Sequence, residues 1–304
     1  MLTKMLLLIK RYIKSPRKLI RALGTKNLLN WIPDKPYLKL VYWGEMGKRL
    51  NIKNPRTFNE KLQWIKLYDR KTEYTKYVDK YEVRSYISQT IGDEYLIPLL
   101  GVYNSVDEIN FDKLPNQFVL KCTHGSHCNI ICTNKDELNI EDAKKQLRKW
   151  MKKNWFWFGR EWPYKNVTPR IICEAFISDN DKPPIDYKVM CFNGKAKLIE
   201  VHIDRFGVHK QDFYTIDWEK TEISQGQNRS EILIEKPPVL EEMIRLSELL
   251  AKDIFHVRID WYVVNSKLFF GEITFFDASG FCRFDSEEDD LMIGGWIDLN
   301  KGGN

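Results

Sequence analysis

Two short stretches near the C-terminus carry residue types that could do chemistry together: Arg258-Ile259-Asp260 and Glu272-Ile273-Thr274. On an extended strand, residues i and i+2 face the same side. Arg258 therefore accompanies Asp260, and Glu272 accompanies Thr274. Asn265-Ser266-Lys267 lies between the stretches and reads as a hairpin turn, which sets Asp260 opposite Glu272. Sharing one face, they would present two carboxylates, a hydroxyl and a guanidinium. An all-oxygen set suits Mg²⁺, which binds through one or two carboxylates plus substrate phosphates. The same residues could instead form a surface salt-bridge ladder. Gly271 and the loop at Gly280 bracket the pair, and two further segments agree with the metal reading.

The first is Lys121, at the end of a strand and followed by His124-Gly125-Ser126. A lysine beside a Gly/Ser turn places its ammonium near free backbone N–H groups, a combination that holds phosphate. The second is the apolar strand Ile171-Ile172-Cys173-Glu174-Ala175-Phe176-Ile177, interrupted by a carboxylate and leading to Asp179-Asn180-Asp181. Backbone groups of such a segment can recognise adenine, and a carboxylate just beyond can reach ribose hydroxyls.

Other signals compete. Cys122, His124, His127, Cys128 and Cys132 suggest zinc, but all sit on one hairpin, whereas zinc sites draw ligand pairs from two distant segments. Asp179 and Asp181 match the Asp-x-Asp of metal-dependent glycosyltransferases. The strand–helix alternation such enzymes need upstream is missing, so this stands as the alternative function. His202 and His209 flank a hairpin around Arg205-Phe206-Gly207 and either face the cleft or hold ordinary sheet positions. Glu287-Glu288-Asp289-Asp290 reads as a solvated face, and the last residues as a frayed tail.

The elements that must position these groups follow from periodicity and turn signals. Apolar residues at Leu2, Met5, Leu6, Ile9, Ile13, Leu19, Ile20 and Leu23 suit an amphipathic helix interrupted near Pro16. It either packs on the body or lies on an anionic membrane surface. Helices are expected over 37–47, 58–68, 72–89, 141–152 and 237–253. Strands are expected over 118–122, 129–133, 170–177, 186–192, 195–203, 210–215, 256–264 and 268–275. Asn193-Gly194 is a strong hairpin turn signal. Hairpins separated by single helices predict α+β with antiparallel sheets and argue against a Rossmann alternation.

Composition bounds the function. With 304 residues and 43% apolar content, the chain is an ordinary globular protein with ample core. Its net charge of +6 is one-sided: residues 1–33 hold eight Lys or Arg and no acid, which leaves the remainder at −2. That argues against nucleic acid as a partner, whose enzymes carry positive charge on the working surface. The run Met5-Leu6-Leu7-Leu8-Ile9 is shorter than the roughly 20 apolar residues a membrane span needs. No secretory signal with a small-residue cleavage site is visible, so a cytoplasmic protein with six reduced cysteines is expected.

The ordered set Asp79-Lys80, Lys121 with its Gly/Ser turn, Glu174-Ala175-Phe176-Ile177, Arg258-Ile259-Asp260 and Glu272-Ile273-Thr274 resembles the ATP-grasp enzymes. Within them, Pro55-Arg56-Thr57-Phe58-Asn59-Glu60-Lys61-Leu62-Gln63-Trp64, Asp186-Tyr187-Lys188 and Cys191-Phe192-Asn193-Gly194-Lys195 resemble the TupA-like proteins of cell-surface polysaccharide clusters. The resemblance covers about 33–285. It implies ATP between two α+β subdomains. Lys80 and Lys121 contact its phosphates, with the His124, Gly125 and Ser126 turn beside them. Residues 174–177 (Glu174, Phe176 and Ile177 above all) hold the adenine, and Asp181 or a neighbour the ribose. It implies Mg²⁺ on Asp260 and Glu272, and Arg258 and Lys188 as catalytic residues, Arg258 at the transferred phosphoryl group or tetrahedral intermediate. Two departures stand out. Thr274 replaces the usual Asn, a weaker ligand that can act through water, and the loop at 275–280 lacks the common proline.

The expected protein is thus an ATP-grasp carboxylate–amine ligase. A basic helical segment over 1–75 precedes a catalytic domain over 76–304, with a lid at about 117–175 and a core at about 176–285. Its substrates would be a carboxylate and an amine, small molecules or groups on a surface glycan. Residues 1–30 offer peripheral contact with an anionic membrane.

Overall fold

The computed structural model describes residues 16–179, 183–203 and 209–300. Residues 2–15 of the expected N-terminal helix, Asp181, and the Arg205-Phe206-Gly207 turn lie outside the described residues, as does the end of the tail. The fold is α+β, with two antiparallel sheets and flanking helices.

Helices come first. α1 (Pro16–Thr25) begins on its proline, which lacks only an N–H the first turn cannot use. Leu19, Ile20 and Leu23 are half-buried, and Ile20 packs on α2 (Asp34–Met46), where Gly44 permits the close approach. α2 buries Tyr37, Leu38, Val41 and Tyr42 and stops at Gly47, whose φ of 76° fits glycine. In α3 (Phe58–Tyr68), Thr57 and Glu60 form a capping box, as the Thr-x-x-Glu spacing allows.

The expected helix over 72–89 is two helices, α4 (Tyr74–Val78) and α5 (Val83–Thr90). Asp79 breaks it: its Oδ1 accepts the N–H groups of Tyr81 and Glu82, 2.8 and 3.3 Å away. Asp favours such local turns over helix. The Lys80 N–H is then free to donate to the Thr123 carbonyl at 3.1 Å.

The smaller sheet has strand order β1-β4-β2-β3: β1 (Leu99–Tyr103), β2 (Phe118–Cys122), β3 (Asn129–Cys132) and β4 (Ile171–Ala175). β1 lacks a period-2 pattern and was not expected from the sequence. Between β3 and β4 lie α6 (Ile140–Met151), whose Leu147 enters the small core, and the short α7 (Phe156–Gly159).

The larger sheet has order β7-β6-β5-β8-β9: β5 (Asp186–Phe192), β6 (Lys195–Ile203), β7 (Lys210–Thr215), β8 (His256–Val264) and β9 (Lys267–Thr274). Its turns carry the positive φ that two-residue hairpins demand, at Asn193 (47°) with Gly194 (79°) and at Asn265 (50°) with Ser266 (59°). One face is apolar. Val189, Val201, Val257, Ile259 and Trp261 join Leu240, Met243, Leu246 and Leu250 of α8 (Leu240–Leu250) in the main core. Each such burial contributes about 1.5–3 kcal/mol. By the period of two, the alternate residues of the same strands form the other face, and these are the charged ones.

Asp290 departs from the solvated-face reading of 287–290, while Glu287 and Glu288 are exposed. These residues open α9 (Glu287–Gly295), and Asp290 Oδ1 accepts the Asn59 N–H at 3.1 Å and its side-chain amide at 3.0 Å. Among the described residues no helix is long and apolar enough to cross a membrane.

Candidate active site

Strand register assembles the centre. Glu200 of β6 pairs with Lys188 of β5, Lys188 with Asp260 of β8, and Asp260 with Glu272 of β9. Four charged side chains thus form one row across four strands. Lys188 Nζ lies 2.6 Å from Asp260 and 3.2 Å from Asp186. Arg258 grips Asp260 with two nitrogens, at 2.8 and 2.9 Å, and its third donates to Asp277. Such bidentate, charge-assisted contacts fix geometry as well as charge.

Burial alone would raise the Glu272 carboxyl, but Lys80, Lys188 and Arg258 hold it well below the usual carboxylate range. Glu200 is likewise held low against burial, by His202 and then Arg258. His202 bonds Glu200 at 2.5 Å and stacks on His209. Asp277, by contrast, is raised by its burial despite Arg258. Asp186, Glu200, Asp260, Glu272 and Asp277 are five carboxylates set against three fixed cations, Lys80, Lys188 and Arg258. His202 on Glu200 offsets one further charge when protonated, and the carboxylates still outnumber the cations in a buried site, where uncompensated charge is expensive. The surplus and its all-oxygen donors fit one divalent cation. Among the described residues no three His, Cys, Asp or Glu side chains are grouped to hold a metal by themselves. Such an ion would therefore take further ligands from a phosphate.

The smaller sheet closes over this row. Lys80 joins the two: its Nζ lies 2.9 Å from Glu272 and 3.0 Å from the Gly125 carbonyl. Lys121 on β2 pairs with Glu174 on β4 at 2.6 Å, and Arg84 of α5 reaches the other oxygen of Glu174 at 3.0 Å. A small cavity is lined by Lys121, Ile172 and Glu174 of one sheet, Phe270 and Gly271 of the other, and Lys80.

The structure therefore brings together Lys80, Lys121 and Glu174 around the cavity, and Lys188, Arg258, Asp260 and Glu272 along the row. Thr274 stands beside them, its hydroxyl 3.3 Å from Glu272. Phe176 and Ile177 are half-buried just past the end of β4. Gly125 serves by its backbone, and a side chain there would collide with Trp155. Ser126 is half-buried in the same turn. His124 lies in the same turn. Its ring is buried, with Nε2 3.2 Å from the Trp150 carbonyl, a packing contact of the turn.

Sequence reasoning missed Arg84, Glu200 and Asp277 as site residues. Glu200 had a signal, a charge at i−2 from His202 within an apolar strand. Arg84 and Asp277 lie on a helix and a loop with no periodic cue.

The profile of the family described as TupA-like ATPgrasp matches residues 60–298. No curated protein matches the chain. Among solved structures, D-alanine–D-alanine ligase from Helicobacter pylori is 15% identical, with a TM-score of 0.47 over 79% of this chain and 69% of that chain. D-alanine–D-alanine ligase from Bacillus anthracis, complexed with ATP, is 15% identical at a TM-score of 0.38, covering 65% of this chain and 54% of that chain. L-amino acid ligase from Bacillus licheniformis is 13% identical at a TM-score of 0.41, covering 73% of this chain and 47% of that chain. The chain thus spans about half the length of the last two.

Proposed function

The chain belongs to the TupA-like ATP-grasp family, and from that premise we propose that it joins a carboxylate to an amine at the expense of ATP, with Mg²⁺ as cofactor. The observation that carries this reading is Lys80 between the sheets, touching Glu272 on one side and the Lys121-side turn at Gly125 on the other. ATP would lie in this cleft, its phosphates toward Lys80 and Lys121 and its adenine along Glu174, Phe176 and Ile177. Asp260 and Glu272 would hold the ion, with Thr274 beside them. Asp181 or a neighbour would reach the ribose. The catalytic part is residues 76–304.

ATP supplies the phosphoryl group that makes a carboxylate oxygen a leaving group, and Mg²⁺ offsets charge on the phosphates as that transfer proceeds. The carboxylate oxygen attacks the γ-phosphorus, the bond to ADP breaks, and an acyl-phosphate forms. The amine then attacks the carbonyl carbon, phosphate leaves, and the amine gives up a proton. Arg258, fixed by Asp260 and Asp277, presents a rigid guanidinium where negative charge develops. Lys188 bonds the same Asp260 oxygen as Arg258 and adds a second buried cation. The family's link to cell-surface polysaccharide clusters supports a glycan or its lipid-linked precursor as the carboxylate and an amino acid as the amine.

For residues 1–30 we propose peripheral contact with an anionic membrane at the inner face. The docked α1 uses Ile20 on the body, while Leu28 and Trp31 are 57% and 81% exposed.

Hydroxylamine tests the chemistry. With ATP, Mg²⁺ and a panel of uronic acids and amino acids, the reading requires hydroxamate and ADP. Hydroxamate formed with AMP and pyrophosphate would mean adenylation and would sink it.

A further inference from the structure

α3 carries a polar stripe that the proposed site does not use. Asn59, Gln63 and Lys66 are spaced i, i+4, i+7, so they share one helix face, and each is fully buried. Buried amides and ammonium groups persist only where they are hydrogen-bonded. All three bond to one loop. Asn59 makes a two-way amide pair with Cys282, donating to its carbonyl at 2.7 Å and accepting its N–H at 2.9 Å. Gln63 donates to the carbonyls of Gly280 and Ser279 at 2.7 and 3.2 Å. Lys66 donates to Ser279 and Gly159 carbonyls at 2.6 and 2.7 Å, and to Gln63 itself at 3.1 Å.

That loop needs holding. Ala278, Ser279 and Gly280 have φ of 42°, 56° and 61°, a left-handed run that residues with a Cβ disfavour. Gly280 is matched to the stripe, because a Cβ there would lie 2.5 Å from Gln63 Nε2. Ser279 is also held through its hydroxyl, which donates to Glu161. The loop starts three residues after Thr274, and its first residue, Asp277, is the partner of Arg258.

We propose that Asn59, Gln63 and Lys66 are positioning residues that hold the 277–282 loop in its left-handed form and thereby keep Asp277 on Arg258. The stripe touches none of the reacting groups; it sets the angle of the guanidinium through the loop. This rests on the reading of Arg258 as a catalytic residue, and it gives the Asn-Glu-Lys-Leu-Gln stretch a physical role.

The test uses the full chain carrying Gln63→Met, which keeps the stem and removes both donors. Amide exchange over 277–282, followed by mass spectrometry without nucleotide, should rise about tenfold or more. Hydroxamate formation should show kcat down about tenfold at an unchanged KM for ATP. Adding Asp277→Asn to Gln63→Met should cost no more than Asp277→Asn alone, because both act through one contact. Gln63→Glu, which keeps the Lys66 partner, should repeat the result if the Met variant does not fold. Unchanged exchange over 277–282, or losses that multiply in the double variant, would overturn the proposal. A wild-type chain without ATP turnover would count against the ligase reading alone, since the exchange measurement reads the loop directly.

Discussion

Asp260 and Glu272 face each other across the β8–β9 hairpin only because Gly271 is an extra residue. Trp261 pairs with Phe270, but the next pair is Asp260 with Glu272, so Gly271 bulges out of the ladder. A Cβ at Gly271 would lie 3.0 Å from the Asp260 carbonyl oxygen and 3.3 Å from its Cβ. Gly271→Val should therefore force the bulge open. The expected cost is about 1–3 kcal/mol of stability by urea denaturation, with ATP turnover lost. Wild-type turnover in that variant would show that the register is not needed.

The two carboxylates should differ in kind. Asp260 is buried and holds both Lys188 and Arg258. Asp260→Asn leaves two buried cations short of a partner, so about 3–5 kcal/mol of stability should go with activity. Glu272 is a quarter exposed and holds chiefly Lys80. Glu272→Gln should abolish Mg²⁺-dependent turnover while its melting temperature stays near wild type. Asp179→Asn should leave turnover intact. Loss of sugar transfer from a nucleotide sugar in Asp179→Asn, with Asp260→Asn still active, would favour the glycosyltransferase alternative.

His256 gives a pH dependence with a definite sign. It is buried between Phe58 and Phe192, with ring centroids 4.9 and 4.8 Å away. Burial, opposed by the Cys191 carbonyl and aided by Arg258, pulls the imidazole from 6.5 down to about 3. Between those values the unfolded chain binds the proton and the folded chain does not. Stability is therefore lost as pH falls, by on the order of 1.4 kcal/mol per pH unit. His256→Phe removes that loss. Between pH 7 and 4 its denaturation free energy should gain about 3 kcal/mol on wild type. A gap that does not move with pH would contradict this.

The N-terminus separates two roles in one preparation. Ile20 packs over Gly44, so a chain starting near Pro33 should melt several degrees lower. Basic residues near an anionic bilayer contribute on the order of 1 kcal/mol each and are screened by salt. The full chain should sediment with anionic vesicles at low salt and be partly released at high salt. The truncated chain should stay in the supernatant. Equal sedimentation of both would exclude this segment as the anchor.

Hairpins were the most legible part of the fold. β5, β6, β7 and β8 lie where the Asn193-Gly194 turn and the strand signals put them, their apolar face alternating with the charged one at a period of two. The helix over 72–89 was misread because Asp79 is a turn former whose partners, Tyr81 and Glu82, look helical on their own. In the site, Arg258 beside Asp260 and Glu272 beside Thr274 were legible from their i, i+2 spacing, whereas Asp260 stands opposite Glu272 through the Gly271 bulge and not through a turn of three residues. Asp277 was not legible, since it depends on a loop held by α3, and for Glu200 the charge two residues before His202 was a signal but only strand order brings it beside Lys188.

The central claim is that ATP binds between the two sheets against Lys80, Lys121 and Glu174. Lys121→Met tests it cleanly, because Arg84 stays on Glu174 and the fold keeps its ion pair. In calorimetry on the full chain with Mg²⁺, ATP should bind saturably and a nucleotide sugar should not. Lys121→Met should weaken ATP by about ten- to a hundredfold, the worth of one charge-assisted contact. Unchanged ATP affinity in the folded variant, or tighter binding of the nucleotide sugar than of ATP, would contradict the account.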